Sequence, residues 1–350
     1  MSSLDKLIAD LNKKSPGSVV IGGSDYSDIP KIPMGNIQLD YLFRGGFPEG
    51  VMYEFYGPPS SGKTAVAYKL LSEWQKLPHN KDRKAVIFDY ETSHTDRWAT
   101  TLGVELIKEL KNVIIWKPMN GESAEDMFDI ICDFADTGEI GFMMLDSIGA
   151  LVPKARKDKD SFDEKTMGGV AAPLTDFIND FNWRRNRYNI TFAAINQLRE
   201  DFKDTYSKGN SPGGKAFKHH CGIRIFFSAG EYFDYKGDNC SRYSDAAGHR
   251  ITLAVEKNKE TINDRKKASV TFRYLSGIDD FQDNIEFAVL HGFIKGSGAW
   301  YELIDYTTGE ILPKKVNGMK NVFEHYRNNP DQYTAMVEKM REFVTNEEGI

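Results

Sequence analysis

Cysteine is scarce in this chain of 350 residues, with three at Cys132, Cys221 and Cys240. None forms a Cys-x-x-Cys pair, which speaks against a zinc site, and an odd, scattered count suits a reducing cytosol. Cys132 falls in an apolar helical pattern and is expected in the core. Long apolar runs are also missing. The most apolar stretch, residues 140–152, carries Asp146 in its middle, so no membrane-spanning segment is indicated. Positive charge is not in excess: 45 Lys and Arg against 51 Asp and Glu give a net charge of −6. A uniformly basic nucleic-acid binder is thereby excluded, and any nucleic-acid contact must come from a local surface or one assembled in an oligomer. Hydrophobic content of 40% and aromatic content of 12% support a real core and exclude global disorder.

The first residues carry Leu4, Leu7, Ile8 and Leu11 among alternating charges, an amphipathic helix over 1–14 and not a secretory signal. Ser15-Pro16-Gly17-Ser18 breaks it, and Val19, Val20 and Ile21 read as a lone strand. A detached helix and strand need something to pack on, either a neighbouring subunit or their own domain. From residue 35 onward strands and helices alternate. Strands are expected at 51–56, 85–90, 113–116, 140–145, 190–195 and 222–227, with helices at 64–76, 95–110, 122–136 and 168–187. That is the α/β pattern of a mostly parallel sheet. Arg250–Glu256 and Ala268–Tyr274 read as further strands, antiparallel, and residues 283–350 as a small module with a hairpin at Trp300-Tyr301 and helices at 319–328 and 331–344. Loops 154–168 and 199–214 each follow the carboxyl end of an expected parallel strand, where open α/β sheets bind ligands.

The chemistry is densest at Gly57-Pro58-Pro59-Ser60-Ser61-Gly62-Lys63-Thr64, a complete G-x-x-x-x-G-K-[ST] between an expected strand and an expected helix. In that context loop N–H groups and the helix N-terminus bind phosphates, Lys63 reaches the β- and γ-phosphates, and the Thr64 hydroxyl holds Mg²⁺. Phe142-Met143-Met144-Leu145-Asp146 is a buried strand ending in an acid, suited to orient the Mg²⁺ shell beside Thr64. Glu91 ends the strand begun at Ala85 and is a candidate to accept a proton from the attacking water. Asn196 and Gln197 tip another apolar strand, and an amide there can report the γ-phosphate to the loop that follows.

These residues together resemble the bacterial RecA recombinases and their bacteriophage UvsX-like counterparts. The resemblance runs nearly end to end, through residues 34–50, the phosphate loop, "IFDYE", "LDSIGALVPKA", "INQLR", "SPGGKAFKHH", "VEKNK" and "GSGAWYEL" in that order. It implies an α/β fold: a RecA-like P-loop ATPase core over 35–280, an oligomerisation arm over 1–34 and a small α+β domain over 281–350. The implied activity is a single-stranded-DNA-dependent ATPase that forms a helical filament and exchanges homologous strands, in the cytoplasm of a bacterial cell or of a phage's host. ATP and Mg²⁺ are the implied cofactors. Single-stranded DNA, homologous duplex DNA and further copies of the chain are the implied partners, with single-strand-binding and mediator proteins beside them. By resemblance the catalytic set is Glu91, Lys63, Gln197, Lys257 and Lys259, the two last lysines reaching a neighbouring subunit's ATP. ATP is held by residues 57–65, ending at Ala65, with Trp98 against the base and Asp146 with Thr64 at the metal. The DNA-binding set is Arg156, Lys157, Met167, Gly168, Arg199, Phe202, Lys203, Gly213, Gly214, Lys215 and Lys218. Leu4, Leu7, Ile8, Leu11, Val19, Val20 and Ile21 form the subunit contact.

The chain departs from the family pattern in places. Glu200, Asp201 and Asp204 make the second loop acidic, Thr95 replaces an aspartate near the base with Asp96 adjacent as a substitute, and residues 228–249 diverge. Arg184, Arg185 and Arg187 end a helix, where cations complement the dipole, and His219 and His220 lack ligand spacing. Two other readings stand beside the recombinase: a RecA-fold motor such as a helicase or branch-migration protein, and an ATP-gated DNA-coating or mediator protein without exchange activity.

Overall fold

The computed structural model describes residues 2–15, 19, 29–157, 169–198, 211–262 and 264–346. Residues 1–30 and 31–350 form two compact units. In the first, helix α1 (Ser3–Lys14) opens with a reciprocal capping box between Ser2 and Asp5 and closes with Lys13 and Lys14. Asn12 exchanges two hydrogen bonds of 2.9 Å with the backbone of Val19. Of the three residues expected as a lone strand, Val20 and Ile21 lie outside the described residues.

The second unit is built on a ten-stranded sheet. Its strands are β1 (Met52–Gly57), β2 (Lys84–Asp89), β3 (Val113–Trp116), β4 (Ile140–Asp146), β5 (Thr191–Gln197), β6 (Ile223–Phe233), β7 (Asn239–Cys240), β8 (Gly248–Asn258), β9 (Lys267–Arg273) and β10 (Gly277–Ile278). The order is β10-β9-β8-β6-β1-β5-β4-β2-β3, with β7 paired beside β6. The strands from β6 to β3 run parallel, and β8, β9 and β10 are added antiparallel. Every residue of β1 and β4 is buried, because helices cover both faces of the parallel part. Helix α3 (Lys63–Gln75) packs on one face, where Trp74 meets Phe142 with ring centroids 5.8 Å apart. Helices α5 (Ala124–Asp136) and α7 (Ala171–Tyr188) cover the other, and Phe128, Phe177 and Phe181 stack between them. Cys132 belongs to that core, as its pattern suggests.

The helix expected over 95–110 is shorter. Helix α4 (Asp96–Thr101) stops where Gly103 takes φ +89° and its carbonyl accepts from Ser72, and only a 3₁₀ turn follows at Lys108–Leu110. The left-handed glycine ends the helix, which apolar periodicity alone does not register. The divergent segment 228–249 is partly sheet: β6 runs on to Phe233 and pairs with β7 and β8, with turns at 234–238 and 241–247 between the strands. Arg184 is held by Asp136 and Asp180, and Arg185 by Asn182 and the Gly50 carbonyl, so both anchor the end of α7.

The carboxyl-terminal module holds helix α9 (Asp280–Leu290), a hairpin over 295–302, and helices α10 (Met319–Asn328) and α11 (Pro330–Thr345). It shares a core with helix α2 (Ile37–Leu42). Fully buried Asp283 ties these parts together. Its carboxyl accepts from the Thr271 amide at 3.0 Å, the Thr271 hydroxyl at 2.7 Å, Asn36 at 2.8 Å and Arg250 at 3.2 Å. Replacing Asp283 with alanine strands these donors and is expected to cost about 3–5 kcal/mol in urea unfolding. A change below about 1 kcal/mol would show that the cluster adds nothing net.

Candidate functional site

The loop between β1 and α3 depends on two glycines for its shape. Gly62 caps α3 at φ +89°, and a Cβ there would lie 2.2 Å from Cδ1 of Ile251 on β8. A Cβ on Gly57 would lie 2.2 Å from the Phe227 carbonyl oxygen on β6. Neighbouring strands therefore press the loop against the helix N-terminus, which aims its amides at one spot. Lys63 arches back over the loop and donates to the carbonyls of Gly57 at 3.1 Å and Pro58 at 2.7 Å. Burial lowers its ammonium to about 8. An anion seated in the loop restores the charged form and gives the ammonium a partner.

Thr64 donates its hydroxyl to Asp146 at 3.1 Å. Burial, then the nearby charge of Glu91, raises the Asp146 carboxyl to about 7. One hydroxyl and one carboxylate make a hard oxygen pair of the kind that suits Mg²⁺ when substrate phosphates and water complete its shell. Among the described residues there is no group of three His, Cys, Asp or Glu placed to hold a metal by themselves.

Glu91 follows β2 and is exposed. Its Oε1 accepts from the Ser147 hydroxyl and, at 2.9 Å, from Nε2 of Gln197 at the end of β5. Parallel pairing brings these ends together: Asp89 is in register with Asp146, and Gly57 with Gln197. Asn196 turns the other way, donating to buried Glu54 at 2.9 Å and to the Pro212 carbonyl at 2.8 Å. One strand tip thus touches both the acid and the returning end of the loop whose residues 199–210 lie outside the described set.

Other expected residues are spread more widely. Trp98 lines the same cleft as residues 60–65, edge-on to Phe272 with centroids 5.9 Å apart. Gly213 and Gly214 adopt φ +104° and +75° at the start of helix α8 (Gly214–His220), with Lys215 exposed and Lys218 half-buried. Arg156 and Lys157 lie on the one-turn helix α6 (Lys154–Lys157), where Lys157 donates to the carbonyls of Gly121 and Glu122. Met167, Gly168, Arg199, Phe202 and Lys203 lie outside the described residues. Lys257 and Lys259 are not brought to the phosphate loop of their own chain. Lys257 donates to the carbonyls of Lys218, His219 and Cys221 at 2.6, 2.7 and 2.6 Å, closing the end of α8. Lys259 reaches the His219 carbonyl at 3.5 Å. His219 and His220 end α8 without gathering ligands. Leu4, Leu7 and Leu11 are exposed along α1, and Ile8 is half-buried.

Sequence reasoning missed Ser147, which steadies Glu91, and four cleft residues: Tyr232, Arg242, Phe272 and Tyr274. It also passed over His249 in the same cleft. Tyr232, His249 and Phe272 carry no local signal, since strand pairing brings them to the cleft, whereas Ser147 directly follows Asp146.

A phosphate loop on a parallel sheet, an acid beside its hydroxyl and a carboxylate at the adjacent strand tip define a P-loop nucleotide hydrolase. A family profile described as RecA N-terminal domain matches residues 2–279. The chain is 28% identical to Protein RecA of Mycoplasma mycoides over 345 residues, 97% of this chain and 92% of that one. It is 30% identical to Protein RecA of Lactobacillus johnsonii over 343 residues, 97% and 87% of the two chains. The chain belongs to the RecA family and is a DNA-dependent ATPase of recombination and repair. Among the described residues no helix is long and apolar enough to cross a membrane.

Proposed function

We propose that the protein forms a helical filament on single-stranded DNA, with ATP between protomers, and exchanges the bound strand with a homologous duplex. The observation that carries this reading is the Gln197–Glu91 hydrogen bond of 2.9 Å. It couples the residue suited to activate water to the strand leading into the second loop. Glu91 takes the proton from the attacking water while Gln197 and Ser147 hold its carboxylate in place. Lys63 and the loop amides hold the β- and γ-phosphates. Thr64 and Asp146 would hold Mg²⁺, which when bound would supply charge neutralisation on the phosphate oxygens. Lys257 and Lys259 of one protomer serve the ATP bound by the next, as an arginine finger does.

Loops 154–168 and 199–214 bind DNA phosphates from the filament axis, so a chain of net negative charge still holds DNA. The segment 1–34 is the oligomerisation arm, 35–280 the ATPase core and 281–350 the accessory domain. The setting is the cytoplasm of a bacterium or a phage's host, with single-strand-binding and mediator proteins as further partners.

The test is phosphate release with and without single-stranded DNA, together with joint-molecule formation between a single-stranded circle and a homologous linear duplex. DNA-stimulated hydrolysis with joint molecules is expected. Stimulation without joint molecules would replace exchange by a DNA-coating role. Translocation by closed rings would point to a motor.

A further inference from the structure

Residues 196–197 and 211–212 bracket the second loop, and both brackets converge on Glu54 of β1, a fully buried carboxylate. Glu54 stands in register with Ala194 on β5 and with Arg224 on β6. Asn196 lies two residues beyond Ala194 and so shares its face of the sheet. Oε1 of Glu54 accepts from Nδ2 of Asn196 at 2.9 Å, and Oε2 accepts from Nε of Arg224. Each of these donors also holds the returning end of the loop. Nδ2 of Asn196 donates to the Pro212 carbonyl at 2.8 Å, and Nη2 of Arg224 lies 3.4 Å from the hydroxyl of buried Ser211.

The place of Glu54 on its strand links these ends to the site. Three residues further on, β1 ends at Gly57, where the phosphate loop begins. Successive strand residues point to opposite faces, so a fixed Asn196 aims Gln197 the other way, toward Glu91. The Asn196 side chain also accepts from the Gln197 backbone amide at 3.1 Å. On the other flank the Arg224 guanidinium lies 4.7 Å from the centre of the Tyr56 ring, and the Tyr56 hydroxyl donates to Glu256, next to Lys257. A buried ion pair gains little stability over well-packed apolar residues of similar volume. What this pair adds is geometry at both ends of one loop.

We propose that Glu54 is a positioning residue for DNA-stimulated hydrolysis. Its carboxylate joins the two ends of the second loop to the strand that enters the phosphate loop, so that DNA held by the loop governs where Gln197 and Glu91 stand against the phosphates. This rests on the reading of residues 199–214 as a DNA-contacting loop.

Glu54→Gln keeps the shape but offers one oxygen to two donors, so one tie breaks. Glu54→Leu combined with Arg224→Met removes the ion pair as a unit, which cuts both ties without leaving an unpaired buried charge. Phosphate release is measured without DNA and at saturating oligothymidylate, with ATP affinity measured by calorimetry on the same preparations. Both variants are expected to keep DNA-free hydrolysis and ATP affinity within about twofold of wild type, and to lose about tenfold in the ratio of stimulated to DNA-free rate. That ratio does not depend on the folded fraction. An unchanged ratio in the double variant overturns the proposal, whether or not Glu54→Gln lowers it, because the pair then only supports the fold. A chain with Arg199 and Lys203 both changed to alanine tests the loop separately. If it binds oligothymidylate as tightly as wild type, the loop reading falls and the proposal with it.

Discussion

Replacing Lys257 with alanine is expected to cut DNA-stimulated ATP hydrolysis by about a thousandfold, the scale of a lost finger cation. The structure supplies a competing cause. Lys257 closes the end of α8 through three carbonyls, and α8 follows directly on the second loop, so the loss could act through a frayed helix. Mixing subunits separates the causes. A Lys63→Ala chain has no working phosphate loop but keeps Lys257, and a Lys257→Ala chain has the reverse. If the lysine serves the next protomer, a head-to-tail mixture in equal amounts regains about a quarter of the wild-type rate, because that share of interfaces is complete. A helix-end role leaves every Lys257→Ala subunit defective, and no activity returns. The two roles are also linked physically: a lysine drawn to a neighbour's phosphates leaves three carbonyls at the end of α8 without its ammonium.

Glu91→Gln is expected to lower hydrolysis by about 10²- to 10⁴-fold while ATP affinity stays within about twofold of wild type. Glutamine keeps an oxygen for Ser147 and Gln197, both of which bond Oε1, so the strand tips stay in place. It loses the ability to take a proton from water. Steady-state phosphate release and equilibrium nucleotide binding, measured on one preparation, check both halves. Equal losses in turnover and affinity would make Glu91 a support for the loop and not the base.

Much of the candidate site was legible because its parts are local. The phosphate loop is one contiguous motif, Asp146 and Gln197 end largely apolar strands, and Glu91 lies two residues past a third. Parallel pairing then carries all of these ends to one edge of the sheet. Boundaries were less legible. The helix foreseen over 95–110 stops at Thr101 because a left-handed glycine is cheaper there than another turn, although the apolar spacing continues.

The sequence by itself determined the parallel α/β core, the phosphate loop and its acids, and the family, since each is written in short runs whose chemistry does not depend on distant residues. The tertiary structure alone decided the other half of the nucleotide cleft and the resting place of Lys257. His249 meets the phosphate loop nearly two hundred residues upstream only because β8 joins the sheet antiparallel and lays Ile251 against Gly62. Lys257 reaches α8 because the same strand pairs with β6 just beyond it. Contacts of that separation depend on register between strands, and register is a property of the assembled sheet.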